Sequence, residues 1–91
     1  MENLTAQTEI HNAWANLVLA DTYLAQGRHQ DADTSMLDAQ RHYRIARSAI
    51  KIKQPGPILE NLQDLRIKLE QIRYAIKLQS GTLTRHARAG Q

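Results

Sequence analysis

Ile58, Leu62, Leu65, Leu69, Ile72 and Ile76 follow one another at alternating steps of four and three residues. That rhythm lays six large apolar side chains along one stripe of an α-helix, whereas the two-residue period of a strand would scatter them over both faces. Gln54-Pro55-Gly56-Pro57 stands directly upstream, and two prolines around a glycine cannot continue a helix through it. Ser80-Gly81 closes the run. The sequence therefore predicts a helix over 57–79 with a coiled-coil-like seam, which must find a matching apolar surface.

Two upstream segments offer one. Ala25-Gln26-Gly27-Arg28 contains a glycine suited to a helix C-cap, dividing this region into helices over 5–26 and 29–53. The first presents Ile10, Ala13, Trp14, Leu17 and Leu24 to the core, the second Met36, Ala39, Tyr43, Ala46 and Ile50. Composition agrees: Ala, Leu, Gln, Arg and Ile dominate, phenylalanine is absent, and there are two prolines and four glycines. Each helix would be roughly 35 Å long, and short connections favour antiparallel neighbours. The expected fold is an all-α antiparallel three-helix bundle. Residues 1–79 form its one domain and 80–91 a flexible basic tail. A chain of 91 residues buries only about two-thirds of its unfolded surface, so every core contact counts.

Apolar residues are nevertheless in surplus. Ile67, Tyr74 and Leu78 fall about 160–180° from the seam of the third helix. Ile45, Ala49 and Ile52 do the same on the second, and Leu19 and Tyr23 lie on the far side of the first. A helix apolar on two faces is buried on both or uses one for a partner. Three helices cannot bury all of each other's second faces, and large exposed apolar patches are uncommon on monomers. Leu19, Tyr23, Ile45, Ile52, Ile67, Tyr74 and Leu78 are accordingly the expected interface with a protein partner or a second copy. A homodimer is the simplest solution, since one patch can meet itself across a two-fold axis.

The first hairpin carries the pattern Leu19-Ala20-x-x-Tyr23-x-x-x-Gly27-x-His29-x-x-Ala32-x-x-x-Met36-x-x-Ala39. Over residues 16–44 this resembles one tetratricopeptide-type repeat. The resemblance implies that small residues at Ala20 and Ala32 let two helices approach closely while Gly27 makes the turn. Asn16 stands where that family has a large aromatic, Arg44 stands where its closing proline belongs, and no second repeat follows at 47–80. The implied unit is a single helical hairpin completed by the third helix. Small three-helix modules of this shape, such as microtubule-interacting-and-trafficking domains, are usually protein-binding.

Charge is divided along the chain. Residues 1–40 carry six acids against Arg28 alone, and residues 41–91 carry eleven Lys/Arg against Glu60, Asp64 and Glu70. Arg41, Arg44, Arg47 and Lys51 cluster on one side of the second helix. Arg66, Lys68, Arg73 and Lys77 follow on the third, interleaved with its acids. Such a surface suits an acidic protein, or phosphates. Acids early and bases late in the second helix also match its own dipole.

Motifs for chemistry are missing. No glycine-rich phosphate loop occurs. Asp31-x-Asp33-x-Ser35 begins like a calcium loop, but Met36 and His42 stand where its glycine and glutamate belong. His11, His29, His42 and His86 show no metal-binding spacing, and cysteine is absent. Neither an enzyme nor a cofactor or metal is expected. Without a cysteine framework, a membrane-length apolar run or a signal-like start at Met1-Glu2-Asn3-Leu4, the expected location is the cytoplasm. The expected function is a non-enzymatic protein-interaction module: an adaptor, a co-chaperone or a small inhibitor occluding a larger partner. The alternative is a basic nucleic-acid-associated protein.

Overall fold

Three α-helices make up the structure, a computed structural model in which residues 2–50 and 56–81 are described, with side chains from Thr5 onward. They are α1 (Glu2–Ala25), α2 (His29–Ala49) and α3 (Pro57–Gln79). No strand occurs among the described residues, nor is any helix there long and apolar enough to cross a membrane.

Gly27 ends α1 by adopting φ +76°. The Arg28 amide donates to the Tyr23 carbonyl at 2.8 Å and the Gly27 amide to the Leu24 carbonyl at 3.0 Å. This is the paired bonding of a Schellman cap, which satisfies carbonyls the helix leaves over. At the other break, Gly56 takes φ +68° and ψ −114°, a region open mainly to glycine, and delivers the chain to Pro57 at the start of α3.

The helix bounds differ from those expected in two places. α1 already begins at Glu2 rather than at 5. α2 stops at Ala49 rather than 53, because Ile50 turns extended (φ −93°, ψ 127°) and packs half-buried against the core instead of adding a turn. Expectations on 51–55 and on the tail beyond Gly81 lie outside the described residues.

All six seam residues of α3 are buried, as the spacing requires. Opposite them α1 contributes Ala6, Ile10, Ala13, Leu17 and Ala20, and α2 contributes Ala32, Ser35, Met36, Ala39 and Ala46. Of the expected stripes of α1 and α2, Ile10, Ala13, Leu17, Met36, Ala39 and Ala46 are buried. Trp14, Leu24, Tyr43 and Ile50 are only half-buried, flanking the core instead of filling it. The centre between α1 and α2 belongs to alanines. Ala6, Ala13 and Ala20 recur every seven residues, Ala32, Ala39 and Ala46 do likewise, and all six are fully buried. Methyl groups let two helix backbones come close, leaving bulkier side chains to the flanks. Accordingly α1 and α2 pack on each other far more extensively than either packs on α3.

Polar contacts tie the ends together. The Glu9 carboxylate, near the start of α1, meets His42 Nδ1, late in α2. Lys68 Nζ lies 3.0 Å from the Asp21 carboxylate, and Gln79 Nε2 donates to the Leu24 carbonyl at 2.7 Å.

Candidate functional site

Because α3 rests on the α1–α2 pair through one stripe, its flank toward α2 is left as an open groove. Two adjoining cavities of about 580 Å³ and about 440 Å³ lie along it and share Tyr43, Arg47 and Arg66. Ile50, Leu59, Leu62 and Ile67 give the first an apolar lining, with Gln63 beside them. Leu69 continues that lining into the second, where Arg44, Arg73 and Glu70 join the walls. Tyr43, half-buried between α2 and α3, marks the junction.

The electrostatics follow from which charges are already matched. Arg28 is bound to Asp31 at 2.7 Å, Arg41 to Asp38 at 3.6 Å and Lys68 to Asp21, while Glu9 holds His42. Arg44, Arg47, Arg66 and Arg73 make no ion pair among the described residues. Glu70 is the one acid among the residues lining the two cavities. The groove is therefore apolar at its base and positive at its rim, with donors shaped for planar carboxylates or phosphates.

Of the basic cluster expected on α2, Arg44 and Arg47 reach the groove. Arg41 points away and pairs with Asp38, and Lys51 lies outside the described residues. Arg44 and Arg47 are joined at the groove by Arg66 and Arg73, two of the basic residues of α3. These two sit seven residues apart on the α3 flank, so their shared face was visible in the numbering, but which flank of α3 faces α2 was not.

Of the expected interface residues, Ile67 is the one that lines the groove among the described residues. Ile67, Tyr74 and Leu78 are exposed on α3, Tyr74 at 58%, and Ile67 also lines the groove. Ile45 is exposed on α2 and is not among the residues lining the groove. Leu19 is exposed on α1. Tyr23 packs half-buried against the core, with the Arg28 guanidinium 4.5 Å above its ring. Ile52 lies outside the described residues. Val18, Leu37 and Leu59 are further exposed large apolar side chains.

Among the described residues no three His, Asp or Glu side chains converge as metal ligands. Compared with known protein families, curated proteins and solved structures, the chain finds no match in any of the three.

Proposed function

We propose that this chain is a non-enzymatic protein-interaction module, with the outer surface of α3 as its contact face. The observation that carries this reading is Ile67, Tyr74 and Leu78, which stay exposed although the inner seam of the same helix is buried along its length. In water such a row is unfavourable, and aromatic and aliphatic side chains of this kind supply most of the energy at interfaces. Another polypeptide covers them, either a second copy of this chain or a foreign protein on which it acts as adaptor, co-chaperone or inhibitor.

The reading includes an up-down-up antiparallel bundle built on one tetratricopeptide-type hairpin. Several features support it. The start of α1 meets the end of α2 through Glu9 and His42, and the end of α1 meets the end of α3 through Leu24 and Gln79. Ala20 and Ala32, Ala13 and Ala39, and Ala6 and Ala46 stand at equal sequence distances either side of Gln26. A chain doubling back at the Gly27 turn brings each pair into register.

The test replaces Ile67 and Tyr74 by Ser together. The variant keeps its circular-dichroism spectrum but loses self-association in sedimentation velocity, or loses the proteins retained from a host extract. A variant that unfolds would place these residues in the core. A folded variant with both behaviours intact would reduce them to ordinary surface.

A further inference from the structure

We infer that the α2–α3 groove receives an amphipathic helix of a foreign protein, with leucine-like residues along its inner edge and Asp or Glu on its flanks. This rests on the interaction-module reading and adds the chemistry of the partner.

Length is the first argument. From Leu59 to Arg73 the groove runs along about four turns of α3, roughly 20 Å, which suits a partner helix of about 14 residues. Shape and polarity come next. A helix laid between two helices buries its apolar edge on Leu59, Leu62 and Ile67, and the groove opens directly onto the exposed face of α3 through Ile67.

Charge decides between partners. Four arginines surround the groove without a carboxylate of their own, against Glu70 alone. A second copy of this chain is poorly suited to supply the missing acids. Its Glu9, Asp21, Asp31 and Asp38 are each engaged within the chain. Its exposed Glu60, Asp64 and Glu70 share α3 with Arg66, Lys68, Arg73 and Lys77, so that helix carries more positive than negative charge. A phosphate backbone would satisfy the arginines yet leave the apolar base of the groove wet. An acidic amphipathic helix satisfies both, with guanidinium groups gripping carboxylates in pairs.

The experiment screens a displayed library of 16-residue helices that hold a fixed leucine edge and carry random residues on the flanks. The bait is the full chain. Asp and Glu enrich on the flanks. Synthetic copies of the selected peptides bind at least tenfold more weakly to the Arg47→Ala/Arg66→Ala variant, whose circular dichroism is unchanged, and binding weakens as salt rises. Arg47→Glu/Arg66→Glu shifts the enrichment toward Lys and Arg. No enrichment, enrichment without acids, or binding indifferent to the arginines overturns the inference. So does a random DNA duplex that binds more tightly than the best peptide. If the screen fails while Ile67→Ser/Tyr74→Ser still abolishes self-association or partner retention, the groove assignment alone falls. If both fail, the interaction-module reading falls with it.

Discussion

Glu9 and His42, 33 residues apart in sequence, meet side chain to side chain across the α1–α2 contact. Both are 20% exposed, so solvent screens their attraction less than it does at the rim. A double-mutant cycle of Glu9→Ala and His42→Ala should give a coupling of about 0.5–1.5 kcal/mol in chemical denaturation. The same cycle on Asp38 and Arg41, 3.6 Å apart and each at least half exposed, should give close to zero. Equal couplings would show that the first pair is no more than a surface contact.

Gly27 holds a left-handed conformation, and a Cβ added there would meet nothing within 4 Å. The cost of Gly27→Ala is therefore conformational alone. It should lower unfolding free energy by about 1–2 kcal/mol, with Gly27→Asn less harmful because asparagine tolerates that region. A neutral Gly27→Ala, measured by urea denaturation, would mean that the turn relaxes.

The two halves of the core should respond to opposite errors. Ala39 is fully buried in the core, so Ala39→Leu should overpack its surroundings and cost about 1–3 kcal/mol. Under α3 the space is filled by large side chains, and Leu65, fully buried, should cost about 2–5 kcal/mol when cut to Ala. Tolerance of Ala39→Leu would indicate that the surroundings of Ala39 have room for a larger side chain.

Much of this was legible in the sequence, for reasons that differ along the chain. The seam of α3 could be read residue by residue because large apolar side chains mark the 4-3 rhythm without competition. On α1 and α2 many buried positions are alanines, which carry little hydrophobic signal: Ala20 and Ala32 are legible only through the hairpin pattern, and Ala6 lies outside the expected stripe, while Trp14 and Tyr43 flank the core. The end of α2 was misplaced because Pro55 fixes only where a helix cannot continue. α2 ends earlier, where Ile50 turns extended and packs half-buried against the core. Arg44 and Arg47 were visible as a cluster. Their meeting with Arg66 and Arg73 depends on which side of α3 lies against α2, and a single helix pattern carries no information about the hand of a bundle. For the same reason Ile45 and Ile67 are equivalent in sequence, yet only Ile67 lines the groove.

Photo-crosslinking from the outer face of α3 tests the interaction reading most directly. With p-benzoylphenylalanine in place of Tyr74, irradiation in the native host should yield a covalent adduct with a second polypeptide, identified by mass spectrometry. The same group in place of Thr34, an exposed polar position on α2, should yield none. Adducts at neither position, in a protein that retains its helical spectrum, would contradict the proposal that this face meets another chain.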